Sequence, residues 1–146
     1  MKLKSVLLVD DDIDDQQFFI EALGAIENTN LFGVANNGKE ALSMLQNSIS
    51  RPDHIFMDFN MPRMNGIECL TELGKSQQTK DIPVVILSGS IEQADRAREL
   101  GAGFIKKSAD IQQLRTELHR VINLNITVFY AISGEACSSV KSSGKS

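Results

Sequence analysis

The sequence predicts an α/β fold, a doubly wound sheet of parallel strands with helices on both faces. Three observations predict it. The apolar runs at 6–9 (VLLV), 55–57 (IFM) and 84–87 (VVIL) are short, β-branched or bulky, and each is followed by a small or acidic residue. Runs of this kind fit strands buried on both faces. Between and after them, apolar residues recur at helical spacing. The two patterns alternate along the chain, which requires parallel strands joined by right-handed crossovers with helices on either face.

Each element follows in order. After the first strand, Phe18, Phe19, Ala22, Leu23 and Ile26 form the apolar stripe of a helix. A weaker run at 31–35 (LFGVA) supplies the second strand, and Ala41, Leu42 and Leu45 supply the helix after it. The third strand, at 55–57, leads to Ile67, Leu70 and Leu73; the fourth, at 84–87, leads to Ile91, Ala94, Ala97 and Leu100. A short run at 103–105 (GFI) is the fifth strand, and Ile111, Leu114, Leu118, Val121 and Ile122 face one side of the last helix. Near residue 124 the pattern stops. Residues 1–124 are therefore expected to be one domain, and 125–146 a C-terminal extension. In the extension, the run ITVFYAI at 126–132 leaves three readings open: an edge strand, a strand that pairs with a second copy in a homodimer, or appended sequence with no packing role. The last fourteen residues hold six Ser and two Gly, the composition of a disordered tail.

Composition narrows the function classes. With 42% hydrophobic and 23% charged residues, the chain reads as globular and not as disordered or fibrous. Cys69 and Cys137 stand far apart without metal-binding spacing, which argues against a zinc site or a disulfide framework. A net charge of −4 argues against nonspecific binding to nucleic acid or an anionic membrane and favours a protein or a cation as partner. No apolar run approaches the roughly 20 residues of a membrane helix, and no signal-peptide core follows Lys2 and Lys4, so a cytoplasmic location is expected.

The chemistry concentrates where strands end. Asp10, Asp11, Asp12, Asp14 and Asp15 place five acids within six residues after the first strand. Adjacent carboxylates repel, so holding them together calls for a proton or a hard cation such as Mg²⁺. The later members, Asp14 and Asp15, also suit the first turn of a helix, where acids are favoured. Two other metal patterns fail on spacing. Asp10, Asp12, Asp14 and Glu21 match four ligand positions of an EF-hand, but Asp15 stands where that loop requires Gly, and a strand precedes it instead of a helix. The DxD of haloacid-dehalogenase-like phosphotransferases expects Thr or Val where Asp14 stands. The third strand delivers Asp58 to the same edge of the sheet as Asp10 and Asp11, on a loop marked by Pro62 and Gly66. The fourth strand delivers Ser88, and the fifth delivers Lys106 and Lys107, an ammonium source for a phosphate.

In these residues the chain resembles the receiver domains of two-component response regulators, the chemotaxis-regulator-like family. The motifs VLLVDDD, FMDFNMPRMNG, PVVILSGS and FIKKS fall in the family's order over about residues 4–123, and together they are highly specific. The resemblance implies a flavodoxin-like sheet of five parallel strands in the order 2-1-3-4-5. It implies that Asp58 is the phosphoacceptor, and that Asp10, Asp11, Asp58 and the backbone carbonyl of Asn60 hold Mg²⁺. Lys107 matches the family's lysine, with Lys106 the alternative, Ser88 the switch hydroxyl, and Phe104 the rotating aromatic. The implied function is a stand-alone phosphoacceptor that takes a phosphoryl group from a sensor histidine kinase or phosphotransfer protein. It then switches a protein-binding face for a downstream target, catalysing only its own phosphorylation and dephosphorylation. Two departures stand out: Ser108 occupies the place of the family's usual Pro, and the approach from Gly101 to Lys107 is one residue short. They argue mildly for the alternative of a non-phosphorylated pseudo-receiver acting as a scaffold, against which the retention of all the acidic positions argues. A Mg²⁺-dependent phosphatase ranks third, because Asn60 stands where such an enzyme has an acid two residues beyond its nucleophile. His54 and His119 read as a strand-flanking and a helix-flank residue, and Met61, Met64 and Cys69 as packing groups.

Overall fold

A computed structural model describes residues 3–124, together with the backbone of 126–130 and 136–140. Its elements are β1 (Lys4–Val9), α1 (Ile13–Gly24), β2 (Thr29–Ala35), α2 (Gly38–Asn47), β3 (His54–Asp58), α3 (Gly66–Gly74), β4 (Val84–Ser88), a 3-10 turn (Ile91–Gln93) running into α4 (Ala94–Glu99), β5 (Gly103–Lys106) and α5 (Ile111–Ile122). Each lies where the apolar pattern placed it. The helix expected through Ile91 and Leu100 is split, so that α4 proper covers only its middle.

The five strands are parallel and ordered β2-β1-β3-β4-β5. Side chains alternate across the sheet with a period of two. Leu7, Val9, Ile55, Met57, Ile86 and Phe104 face one side, where Ala41 and Leu45 of α2, Cys69 and Leu73 of α3, and Ala97 of α4 close over them. Val6, Leu8, Phe56, Val85, Leu87 and Ile105 face the other, under Phe19 and Leu23 of α1 and Leu118 and Ile122 of α5. Both faces are therefore dry, and residues 6–9 of β1, 55–57 of β3 and 84–87 of β4 read as unbroken apolar runs because each of these positions is covered. The strand order reverses between β1 and β3, which opens a crevice at their carboxyl ends.

Beyond α5, β6 (Ile126–Tyr130) pairs antiparallel with β7 (Ala136–Val140) as a separate two-stranded sheet. The backbone of β6 runs near β5, α4 and α5. Of the expected Ser-rich tail, only the backbone of β7 falls within the described residues. Among the described residues, no helix is long and apolar enough to cross a membrane.

Candidate functional site

The crevice is built from local rules. After β1, the Asp12 side chain caps α1 by accepting from the Asp14 and Asp15 amides at 2.8 and 3.2 Å. The Asp12 amide in turn donates to Asp10 Oδ1 at 3.0 Å, which folds the Asp10 carboxylate back under the turn. Gln16, buried one turn into α1, donates through Nε2 to the Asp10 carbonyl at 2.6 Å and to Asn36 Oδ1 at 2.9 Å. The acidic turn is thus tied to the first turn of the helix.

Asp58 is the last residue of β3 and lies beside Leu87 of β4. Its loop closes through the Phe59 amide, which donates to the Leu87 carbonyl at 2.8 Å, and the Gly66 amide, which donates to the Phe59 carbonyl at 2.9 Å. Asn65 and Glu68 then start α3 with a reciprocal capping box. Gly66 is required by proximity. A Cβ there would sit 3.0 Å from the Asp58 carbonyl oxygen and 3.0 Å from Phe59 Cα, both backbone atoms that cannot move aside. Gly66→Ala is expected to destabilise the fold by about 1 kcal/mol, because strain at the Asp58 loop outweighs Ala's better helix propensity. A urea titration of the two proteins checks this, and an unchanged midpoint would refute it.

At the sheet edge, Asp10, Asp11 and Asp58 each offer a carboxylate oxygen, all within 4.8 Å of one another. Asp10 and Asp58 are buried, and Asp11 is exposed toward the crevice mouth. An all-oxygen donor set at this spacing suits a hard divalent cation such as Mg²⁺. Lys107, just past β5, reaches across the edge: its Nζ lies 2.9 Å from Asp58 Oδ1, 2.8 Å from Asp15 Oδ2 and 3.7 Å from Asp10 Oδ2. The Lys107 amide donates to the Ser88 carbonyl at 2.7 Å, which fixes where the side chain departs.

Burial raises the Asp10 carboxyl to about 6, against hydrogen bonding from Asp12 and attraction to Lys107, which pull it down. Burial likewise raises Asp58, opposed by the hydrogen bond and charge of Lys107. For Lys107, burial works against the ammonium, but hydrogen bonds to Asp15 and Asp58 and the charges of Asp58 and Asp10 together hold it protonated above the ordinary lysine range. The site therefore stores carboxylates that are short of positive charge.

The structure brings Asp10, Asp11, Asp58 and Lys107 into one group. Ser88 ends β4 beside them, buried, its Oγ accepting from the Ser90 amide at 3.2 Å. Phe104 is fully buried on β5 opposite Ile86. Asn60 lies exposed in the loop two residues past Asp58, and Lys106 is exposed at the end of β5. The lysine within ion-pair distance of Asp58 is thus Lys107. No cis peptide occurs among the described residues, so Lys107 and Ser108 are joined in trans. The pairing of Asp15 with Lys107 and the anchoring role of Gln16 carry no mark in the sequence. Asp15 was covered by its place in a helix's first turn, and Gln16 carried no signal beyond being a polar residue one turn before Phe19 and Ile20.

Comparison with known proteins adds to this geometry. The sequence model of the response regulator receiver domain matches residues 6–119. The sensor histidine kinase CheAY of Helicobacter pylori is 32% identical over 122 residues, which cover 82% of this chain and 15% of that protein. This chain spans only 15 to 35% of the length of that kinase and several curated methylesterase relatives. Among solved structures, the phosphorylated cyanobacterial phytochrome response regulator RcpA superposes with a TM-score of 0.71 at 32% identity, over 82% of this chain and 91% of that one. The Mn²⁺-bound response regulator Rcp1 superposes at 0.68 and 28% identity, over 81% and 91%. The shared strand order and the sequence match over residues 6–119 lead to one conclusion: the chain belongs to the response regulator receiver domain family.

Proposed function

We propose that the chain is a phosphoacceptor of a two-component phosphorelay, with Asp58 as the residue modified. The observation that carries this reading is the Asp58 carboxylate itself, buried, 2.9 Å from the Lys107 ammonium and grouped with Asp10 and Asp11. In the reaction, an Asp58 oxygen attacks the phosphorus of a phosphohistidine on a sensor kinase or phosphotransfer protein. The P–N bond breaks, and the imidazole leaves with its electron pair and takes up a proton. Lys107 neutralises one phosphoryl oxygen and holds the nucleophile in place through the same contact. Asp10, Asp11, Asp58 and the Asn60 carbonyl are the groups that would hold Mg²⁺, which supplies further charge neutralisation at the phosphoryl oxygens. The only chemistry the chain performs, in this reading, is on itself.

Phosphorylated Asp58 presents strong acceptors next to the Ser88 hydroxyl, which turns to donate to one of them. Phe104, buried on the neighbouring strand, moves into the space the hydroxyl leaves, and the change reaches the face formed by α4, β5 and α5. That face is the proposed contact for a downstream protein. The phosphorylated form of RcpA and the bound Mn²⁺ of Rcp1 support both halves of the reading by likeness. A cytoplasmic location belongs to the same proposal, as does the division into a receiver at 1–124 and an extension at 125–146. A homodimer through the ITVFYAI strand is the proposed assembly; light scattering that gives a monomer mass for the full chain, unaffected by deleting 125–146, removes it.

The deciding experiment is intact mass after incubation with acetyl phosphate, with and without Mg²⁺, for the native chain and Asp58→Asn. One added phosphoryl group that requires Mg²⁺ and Asp58 is the expected result. No adduct, with a beryllium-fluoride mimic also failing to bind, would replace the phosphoacceptor by a protein-binding scaffold.

A further inference from the structure

Asp15 has no place in the cation cluster, which comprises Asp10, Asp11 and Asp58. It nevertheless holds the Lys107 ammonium at 2.8 Å, as closely as Asp58 does at 2.9 Å, across 92 positions of sequence. A helix's first turn favours any acid, and that preference would serve the exposed Asp14 equally well; it does not account for an ion pair reaching β5's far end. The backbone that presents Asp15 is itself fixed. Its amide donates to the Asp12 cap, and the next residue, Gln16, is locked to the Asp10 carbonyl and to Asn36. Lys107 and Asp15 also line a cavity of about 80 Å³ whose walls include Phe18, Leu87 and Ile105. Both side chains stay partly exposed, so the pair acts through where it holds the ammonium more than through its strength.

A lysine is a point charge on a flexible stem, so a single carboxylate fixes how near it comes but not from which side. We propose that Asp15 is a positioning residue for Lys107: from α1 it holds the ammonium at 2.8 Å, close to Asp58 but 3.7 Å from Asp10, and so keeps it from closing onto the Asp10 and Asp11 side of Asp58 that the cation would take. The inference rests on Asp58 being the phosphoacceptor. Without Asp15 the ammonium settles further onto Asp58 and Asp10, competes with the cation for their oxygens, and leaves the place where a phosphoryl oxygen arrives.

A double-mutant cycle of Asp15→Ala with Lys107→Met tests it, with circular dichroism to confirm that each variant folds. The first measurement is the phosphorylation rate with acetyl phosphate at saturating Mg²⁺. Asp15→Ala should slow it about tenfold in the native background and add nothing to Lys107→Met, since a residue acting through another has no effect once that other is gone. A role in the fold or in bulk charge alone would make the two effects multiply, and that outcome, or an unchanged rate for Asp15→Ala, overturns the proposal. The second measurement is a calorimetric Mg²⁺ titration without any phosphodonor. Asp15→Ala should weaken Mg²⁺ severalfold in the native background and by less in Lys107→Met; equal weakening in both overturns it. This readout needs no phosphoryl transfer. A native chain that takes up no phosphate therefore refutes the phosphoacceptor, while the titration still decides Asp15.

Discussion

Lys107→Met slows phosphorylation of Asp58 by acetyl phosphate about 100-fold, the expected loss when one preorganised partner of a developing charge is removed. Methionine keeps most of the stem's bulk, so the change is largely one of charge. In the native chain the ammonium touches Asp58 and Asp15 and stands 3.7 Å from Asp10. Removing it leaves those carboxylates to repel one another at a sheet edge where Asp10 and Asp58 are buried. The metal-free variant should therefore lose about 2 kcal/mol at neutral pH, less than for a fully buried broken pair because Lys107 and Asp15 are partly exposed to solvent. Mg²⁺ should bind the variant more tightly, since no ammonium competes for Asp58. Time courses of intact mass, with thermal melts at several Mg²⁺ concentrations, check all three. A variant phosphorylated at the native rate would remove Lys107 from the chemistry.

Asp10→Asn has the opposite sign. The Asp10 carboxyl, only 1% exposed, is raised from 3.8 to about 6 by burial, so the folded chain binds its proton more tightly than the unfolded chain does. A group of this kind costs stability fully above its folded value, progressively less as pH falls toward 3.8, and nothing below that. Asparagine keeps an oxygen for the Asp12 amide and removes the charge. Without metal, Asp10→Asn should be more stable than the native chain by about 2–3 kcal/mol at pH 8, since each tenfold difference in proton affinity between the folded and unfolded chains is worth roughly 1.4 kcal/mol. The advantage should shrink as pH falls through 6 and vanish near 4. Mg²⁺ narrows it from the other side. At ten times its dissociation constant a ligand stabilises the native chain by about 1.4 kcal/mol, whereas the variant has lost one of the carboxylates grouped to hold it. Denaturant titrations across pH, with and without Mg²⁺, measure the difference; a variant no more stable at pH 8 than at pH 4 relative to the native chain would refute the account.

The legible part of the site follows from one property of parallel sheets. Every strand delivers its carboxyl end to the same edge, so once β1, β3, β4 and β5 are recognised, Asp10, Asp11, Asp58, Ser88 and Lys107 must converge without further information. Recognition of the strands was local, because a strand covered on both faces is apolar at every position. The weaker runs show the limit. β2 extends two residues earlier than the apolar pattern indicated, since at the sheet's edge Thr29 and Asn30 pair with β1 without being deeply buried. The helix expected through Ile91 begins as a 3-10 turn capped by Ser90.

By itself, the sequence determined the doubly wound fold, the edge where the chemistry lies, and the residue types that meet there. These depend on short-range periodicity and on what ends each strand. Only the tertiary structure shows what each carboxylate touches. Five neighbouring acids look alike in a sequence, yet Asp12 caps α1, Asp10 and Asp11 join Asp58, and Asp15 turns across to Lys107. The ion pair that sets Lys107 apart from Lys106 likewise exists only in space: successive residues of an extended chain point to opposite sides, and the bond from the Lys107 amide to Ser88 directs the Lys107 ammonium onto Asp58. Roles of this kind are set by the angle at which α1 and the end of β5 meet over the crevice. Packing of Phe19 and Leu23 against the sheet fixes that angle, and no local pattern of residues encodes it.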